Sequence, residues 1–327
     1  MPDLSIAAAV PPDRHRDYFK ECAEFPFSGH ASECHLGNAW WLAEASMAVY
    51  ENLATPGNPA VDLTILEKAG YKVTGKAAGS TQFMVIANER EVIVAFRGTR
   101  IDGFAIPFLK TQGFTLNWGD VRKDAQFLPK EIEPGVLVHE GFHAAYEEIK
   151  DELQKTLAEA VADGRPLWFC GHSLGAALAT IAAYKHRDQV HGLYTFGSPR
   201  VGNGAFVEAF SESLRNIWRF VHHHDAVTAM PPEGFGAASY AHAGQLRFIT
   251  GRGTWKIDGG EGVRHDLFSL AADAVAHAKD VLHLLLHKFS LTDPGSWPIG
   301  VEAVADHSPI YYTNKIFNAH EEAVRGS

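Results

Sequence analysis

A short glycine and serine pattern constrains this chain more than any other feature. Residues 171–175 read Gly-His-Ser-Leu-Gly and stand between an apolar run and a helix pattern of small residues. A serine on a sharp strand-to-helix turn needs neighbours without side chains, and Gly171 and Gly175 flank Ser173. Residues 166–170 resemble a short buried strand, and residues 174–184 an alanine-rich helix that can approach a sheet closely. We therefore predict a nucleophile elbow that exposes the hydroxyl of Ser173.

Strands and helices alternate along the chain on both sides of this elbow. The predicted strands cover residues 71–73, 82–87, 91–96, 166–170, 190–196, 216–221 and 245–250. The predicted helices cover residues 38–49, 61–69, 142–160, 174–184, 205–214 and 266–288. Charge-poor strands alternating with helices predict an α/β fold, with a mainly parallel central sheet covered on both faces. The 327 residues contain no repeat or linker, so we predict a single domain.

Three stretches are less regular. We expect the first 35 residues to wrap the surface, since they show no sustained period. Residues 100–118 are too apolar for an ordinary surface loop and predict either a lid or a buried core segment. Residues 234–300 indicate an excursion from the sheet, whose helix at 266–288 either packs on the body or forms a second cover.

Composition excludes several classes of function. The net charge of −10 repels phosphate backbones, so we expect no nucleic-acid partner. Three scattered cysteines exclude a disulfide framework and leave open one bridge between Cys22 and Cys34. The N-terminus lacks a basic region and a long apolar run, so we expect no secretion signal and no integral membrane segment, with the cytoplasm as the default compartment.

A serine nucleophile needs a histidine base and a carboxylate that orients the base. In the α/β-hydrolase order the acid follows the serine and the histidine comes last. Asp225 follows a predicted strand, which places it at the same sheet edge as Ser173; the alternative is an aspartate that caps a turn. The neighbouring histidines at 222–224 do not predict a metal site, because adjacent strand residues point to opposite faces.

His307 is the predicted base because of its position near the end of the chain order. The other candidates lie on a predicted helix with charged neighbours or in a terminal tail: His265, His277, His283, His287 and His320.

Several motifs occur in one order along the chain. They are Val-Ala-Phe-Arg-Gly-Thr at 94–99, Asn-Trp-Gly-Asp at 117–120, Val-His-Glu-Gly-Phe at 138–142, the elbow at 171–175, Phe-Gly-Ser-Pro-Arg at 196–200 with Gly202 and Asn203, Asp225 before two prolines, and His307 before Tyr311. Together they resemble the class 3, fungal-type triacylglycerol lipase family over roughly residues 35–312. The resemblance implies an α/β-hydrolase fold with Ser173, Asp225 and His307 as the catalytic triad.

The resemblance also implies an oxyanion hole and a lid. In this family the residue after Arg-Gly supplies one N–H donor and the residue after the nucleophile a second, which implies Thr99 and Leu174. The apolar segment at 100–118 resembles the lid of the family. Its aromatic and aliphatic side chains would contact lipid: Phe104, Ile106, Phe108 and Phe114.

These observations predict a serine carboxylester hydrolase, a lipase acting on fatty-acyl esters through an acyl-enzyme, with no cofactor. The expected partner is a lipid or small ester, met at a lipid–water interface. The alternatives within this chemistry are a short-chain or feruloyl-type esterase and a phospholipase A1. An alternative of another class is a non-catalytic lipid- or partner-binding module on the same fold.

Overall fold

A computed structural model describes residues 16–50, 61–98, 128–160, 164–223, 225–231, 239–250, 257–258 and 306–326. The helices, in chain order, are α1 (Leu36–Ala48), α2 (Thr64–Lys68), α3 (Glu140–Ala160), α4 (Leu174–Lys185), α5 (Gly204–Ser213) and α6 (Pro309–Arg325). The strands are β1 (Lys72–Ala78), β2 (Thr81–Ala87), β3 (Val92–Phe96), β4 (Pro129–Glu133), β5 (Val136–His139), β6 (Leu167–His172), β7 (Val190–Phe196), β8 (Ile217–His222), β9 (Gln245–Ile249) and β10 (Ile257–Asp258).

In the described part of the chain, the central sheet has eight strands in the order β1-β2-β3-β6-β7-β8-β9-β10. Strands β3, β6, β7, β8 and β9 are parallel to one another, while β1, β2 and β10 pair antiparallel at the two edges. Parallel strands are covered on both faces, and β3 and β6 are accordingly buried along their whole length. The predicted α/β fold with a mainly parallel sheet is confirmed.

Helices cover the sheet on both faces. Helices α1 and α6 pack on one face, against Trp168 and Phe220, and α3, α4 and α5 pack on the other, against Phe169 and Leu193. The alternation of neighbouring residues between the two cores follows from the two-residue period of a strand.

The segment before α1 does more than wrap the surface. Its apolar side chains are buried in the core on the α1 and α6 face: Tyr18, Phe19, Cys22, Phe25 and Phe27. The ring of Phe27 meets that of Trp168 at a centroid distance of 5.4 Å. The expectation that this segment is superficial is therefore wrong for residues 16–35, because aromatic anchors without a regular period carry no periodic signal.

Arg16 joins the N-terminal segment to both helices of that face through an ion pair and a hydrogen bond. The guanidinium of Arg16 donates to Oε1 of Glu44 on α1 at 2.5 Å and to Oδ1 of Asn314 on α6 at 2.8 Å. Helix α6 also extends to Arg325, so His320 lies on a helix rather than in the predicted tail, with its ring 4.7 Å from that of Phe25. These contacts fix the position of α6, which approaches the elbow.

Other predictions differ from the structure in detail. Strand β1 is longer than predicted, because it pairs with β2 through a hairpin at residues 79–80. Residues 129–139 form an unpredicted two-stranded sheet, β4 and β5. The excursion at 234–300 and its helix at 266–288 lie mostly outside the described residues.

All three cysteines are free thiols, so Cys22 and Cys34 do not pair. Among the described residues, no helix is long and apolar enough to cross a bilayer.

The crossing from β6 to α4 brings two backbones into close contact. A Cβ atom added at Gly175 would lie 2.1 Å from the carbonyl oxygen of Phe96 at the end of β3. That oxygen belongs to backbone and cannot move aside cheaply. The first turn of α4 thus packs directly on the central sheet, and this contact fixes the position of the turn that carries Ser173.

We expect Gly175→Ala to lower the free energy of unfolding by about 1–3 kcal/mol, because the added methyl group overpacks this contact. Gly204→Ala is the matched control, since it lies at the start of α5 with open space around it. Alanine there should leave stability unchanged or raise it by up to about 1 kcal/mol. Urea denaturation of both variants measures the difference, and equal stabilities would contradict the close contact.

Candidate active site

Ser173 occupies a strained turn at the carboxyl end of β6. Its backbone has φ 60° and ψ −129°, a region that residues with side chains rarely adopt. Its N–H donates to the carbonyl oxygen of Phe196 at the end of β7 over 3.1 Å, which anchors the turn to the neighbouring strand. The residue is half-buried. This hydrogen bond to the sheet holds Ser173 in its strained conformation. The predicted nucleophile therefore lies at the carboxyl ends of the parallel strands.

Asp225 and His307 are in direct contact. The Nδ1 atom of His307 lies 2.9 Å from both Oδ1 and Oδ2 of Asp225. Asp225 follows β8 and caps the short 3-10 turn Ala226–Ala229, where its Oδ1 accepts from the N–H of Val227 at 3.0 Å. The carboxylate has no exposed surface, while 18% of the His307 side chain is exposed. On the sequence alone, capping of a turn and contact with a histidine are alternative roles for Asp225. In the structure Asp225 does both.

The Asp225 carboxyl has a pKa below its ordinary value. Burial alone raises that pKa, but the charge and the hydrogen bond of His307, followed by the hydroxyl of Tyr312, outweigh it. The carboxyl is therefore ionised at neutral pH. An ionised, buried acceptor on Nδ1 leaves the Nε2 atom of His307 as the atom available to a hydroxyl.

Glycine at the end of β7 lets these groups meet. Gly197 has φ +58°, and a Cβ atom there would lie 2.6 Å from Oδ2 of Asp225 and 3.0 Å from Nδ1 of His307. Any side chain at this position would separate the two residues. The carboxyl ends of β6, β7 and β8 therefore converge on one site, as expected of an α/β sheet.

The loop that carries Asp225 is held by an arginine of the Phe-Gly-Ser-Pro-Arg motif. Arg200 donates through Nη1 to the carbonyl oxygens of Ala229 and Pro231, and its own N–H donates to that of Met230 at 2.7 Å. These bonds fasten the turn after β8 to the segment after β7, which fixes the carboxylate next to Gly197.

His172 supports His307 from the side of the elbow. Its Nε2 lies 2.6 Å from the backbone oxygen of His307, and the two rings are 4.5 Å apart. Because a carbonyl only accepts, Nε2 carries the proton, and Nδ1 must accept from the hydroxyl of Tyr50 at 2.8 Å. Burial, followed by the nearby charge of His307, lowers the pKa of His172 to about 3. His172 is thus a neutral brace.

The predicted oxyanion donors are only partly described. Leu174 is the first residue of α4, and the N–H of a first helical residue has no partner within the helix. Gly175 packs beside Gly98, so the start of α4 lies next to the end of the Phe-Arg-Gly motif. Thr99 and the predicted lid residues lie outside the described residues, and their roles stay predictions: Phe104, Ile106, Phe108 and Phe114.

Two of the neighbouring histidines contact the chain before His307. His222 has its Nδ1 3.0 Å from the backbone oxygen of Asp306, and His223 has its Nδ1 2.9 Å from the Asp306 carboxylate. His224 lies outside the described residues. Within the described parts of the chain, no group of three His, Cys, Asp or Glu side chains is arranged to hold a metal ion.

Three residues at the site were missed by sequence reasoning: Tyr50, His172 and Tyr312. His172 lies inside the elbow motif, in which the spacing of the glycines about Ser173 carries no information on the neighbouring side chain. Tyr312 stands beside Tyr311 in the C-terminal motif, and the choice between them depends on the rotation of α6 about its axis. Tyr50 lacks a local signal, since its partner is 122 positions away.

We expect His172 to make stability depend on pH. Its pKa is 6.5 in an unfolded chain and about 3 in the folded protein, so between these values the unfolded chain binds the proton. Stability therefore falls as pH falls from about 6.5 towards 3, with a contribution of about 1.4 kcal/mol per pH unit.

Urea denaturation of His172→Gln at several pH values should show a shallower loss of stability on acidification than the wild type. Ser173→Ala, an adjacent change without a titrating group, is the control and should keep the wild-type slope. Identical slopes for the wild type and His172→Gln would contradict the buried neutral imidazole.

Comparison with known proteins identifies similar sequences. Residues 93–235 match the family described as lipase (class 3). Secreted mono- and diacylglycerol lipase A of Penicillium cyclopium is 36% identical over 196 residues, covering 58% of this chain and 54% of that protein. Secreted mono- and diacylglycerol lipase 1 of Fusarium solani is 30% identical over 184 residues, covering 55% and 50%. The chain thus spans about half the length of the curated relatives it matches.

A solved structure shares the fold. The crystal structure of a mutant form of MDLA from Penicillium cyclopium superposes with a TM-score of 0.50 at 25% identity, covering 67% of this chain and 81% of that chain. The motifs, the parallel sheet with its elbow and these relatives agree: residues 93–235 resemble the class 3 lipase family, and the chain has an α/β-hydrolase fold.

Proposed function

We propose that this protein is a serine carboxylester hydrolase, a lipase that cleaves acylglycerols or other fatty-acyl esters. The observation that carries the proposal is the buried, ionised Asp225 bonded to His307 beside the strained elbow of Ser173. Mono- and diacylglycerol lipases among the relatives support acylglycerols as the substrate class.

The proposed reaction proceeds through an acyl-enzyme. His307 takes the proton from the Ser173 hydroxyl as its oxygen attacks the ester carbonyl, and Asp225 stabilises the imidazolium that forms. His307 then returns the proton to the departing alcohol. Water repeats the sequence on the acyl-enzyme and releases the acid. No cofactor takes part in any of these steps.

The negative oxygen of each tetrahedral intermediate needs donors that are already in place. We propose the N–H of Leu174 at the start of α4 and the N–H and hydroxyl of Thr99 for this role. Such donors contribute about 3 kcal/mol each to the stabilisation of the transition state. The apolar segment at 100–118 is proposed as a lid that meets the acyl chain at a lipid–water interface.

Ser173→Ala should lower turnover of a p-nitrophenyl ester by at least about 10⁴-fold while leaving the melting temperature near that of the wild type. A fluorophosphonate probe should add its mass to Ser173 of the wild type, as located by peptide mass spectrometry. Ser211→Ala, an exposed serine of α5, is the control and should keep both activity and labelling. Absence of an adduct on Ser173 would instead favour a binding module on a hydrolase fold.

The substrate class follows from a graded series of esters. We expect turnover to increase from acetyl to long acyl chains and to increase further when triacylglycerol is presented as an emulsion, because an apolar lid favours an interface. Preference for short soluble esters without an interfacial gain would contradict the lipase assignment and favour an esterase. Preference for phospholipid vesicles would favour a phospholipase A1.

A further inference from the structure

A buried tyrosine completes the surroundings of the Asp225 carboxylate. Tyr312 lies on the first turn of α6, and only 1% of its surface is exposed. Its hydroxyl oxygen is 2.5 Å from Oδ2 of Asp225 and 3.0 Å from the backbone nitrogen of His222 at the end of β8. The hydroxyl therefore bridges the carboxylate and the neighbouring strand.

The direction of these bonds follows from the atoms involved. The N–H of His222 can only donate, so the Tyr312 oxygen accepts from it. The single proton of the hydroxyl is then free to be donated to Asp225, which is ionised and accepts. Burial, followed by the charge of Asp225, raises the pKa of Tyr312 well above its ordinary value, so the proton stays on the tyrosine.

The carboxylate thus accepts from three elements of the fold. Val227 donates to Oδ1 from the turn after β8, Tyr312 donates to Oδ2 from α6, and His307 donates from the chain before α6 at equal distances to both oxygens. With a separate donor on each oxygen, rotation of the carboxylate about its bond to Cβ is blocked. The plane in which it meets His307 is thereby set.

We propose that Tyr312 is a positioning residue of the hydrolytic site, whose hydroxyl fixes the orientation of the Asp225 carboxylate that in turn orients His307. This inference rests on the proposed function only in assigning a catalytic use to the Asp225 and His307 pair. The proposal depends only on the hydrogen bonds of Tyr312 with Asp225 and His222.

The ionisable groups around Asp225 act in the same direction as the tyrosine. His307 lowers the pKa of Asp225, and His222 is close enough for the Asp225 charge to affect its own pKa. Asp306 is the neighbouring acid, and it raises the pKa of Tyr312. Among these groups Tyr312 holds its partner through a neutral hydroxyl, which can be removed without changing the charge of the site.

The preceding residue offers a matched control. The Tyr311 ring stacks on that of His222 at a centroid distance of 5.6 Å and an angle of 25°. Because successive residues of a helix differ in direction by about 100°, Tyr311 and Tyr312 present their hydroxyls to different surroundings. Removing either hydroxyl keeps the aromatic ring, so both variants preserve the packing of α6.

The first measurement compares the two variants kinetically. We expect Tyr312→Phe to lower kcat for a p-nitrophenyl ester about 10- to 100-fold with KM within twofold, because a hydrogen bond to a charged group is lost where no substrate binds. Tyr311→Phe should retain kcat within twofold. A double-mutant cycle adds Asp225→Asn: in that background Tyr312→Phe should change kcat less than twofold, since the tyrosine acts through the carboxylate.

The second measurement does not depend on activity. Carbon-13 NMR of aspartate-labelled protein follows the titration of the Asp225 carboxyl, whose midpoint should rise in Tyr312→Phe and stay unchanged in Tyr311→Phe. Incorporation of 3-fluorotyrosine at position 312, which keeps the hydroxyl and makes it a stronger donor, should move the midpoint down. This substitution also serves if Tyr312→Phe proves too unstable to study.

The outcomes separate the two proposals. A midpoint that moves in a protein without esterase activity would support the positioning role and contradict the proposed function. Esterase activity together with an unmoved midpoint, or an equal loss of kcat in Tyr312→Phe with and without Asp225→Asn, would overturn the positioning role.

Discussion

The site depends on keeping one fully buried carboxylate ionised. Removing a charged carboxylate from water costs several kcal/mol unless donors replace the lost hydration, so Asp225 is tolerated only where donors converge. The donors are Val227 in the turn after β8, Tyr312 in the first turn of α6, and His307 just before α6. The position of α6 is therefore an electrostatic requirement as well as a packing one. The ion pair of Arg16 with Glu44, which also bonds α6, belongs to the same arrangement although it lies away from the site.

Two different kinds of support act on His307. The charged carboxylate of Asp225 orients the ring through Nδ1, while His172 holds the backbone oxygen and lies against the ring without carrying charge. A second cation at that position would oppose formation of the imidazolium, and burial keeps His172 neutral. The bond from Tyr50 selects the tautomer that His172 needs for this role. The elbow motif thus supplies the strained serine and, one residue earlier, a neutral support for His307.

The sequence predicts those features of the site that obey local or ordered rules. The small-residue elbow, the charge-poor strands and the succession of Ser173, Asp225 and His307 are readable because each has a steric or topological cause within a short stretch. Tyr312 was not singled out, since one residue of helix rotation distinguishes it from Tyr311 and rotation is set by tertiary packing. The burial of the aromatic side chains in residues 16–35 is not predicted for a related reason. These side chains have no regular spacing, so their burial depends on tertiary packing that the sequence pattern does not show.

The contacts of His223 have a consequence for the evolution of chain length. Its N–H bonds the carbonyl oxygen of Ile249 at the end of β9, and its ring bonds the carboxylate of Asp306, while Lys315 of α6 reaches the carbonyl oxygen of Thr250. His223 and Lys315 therefore hold residues 250 and 306, the two ends of one connection, close together, which closes a loop in the chain. Doubling the length of such a loop costs only about 0.6 kcal/mol in closure entropy. Changes of length between residues 258 and 306 can thus be accommodated at little cost, while these contacts keep Asp225 and His307 in place.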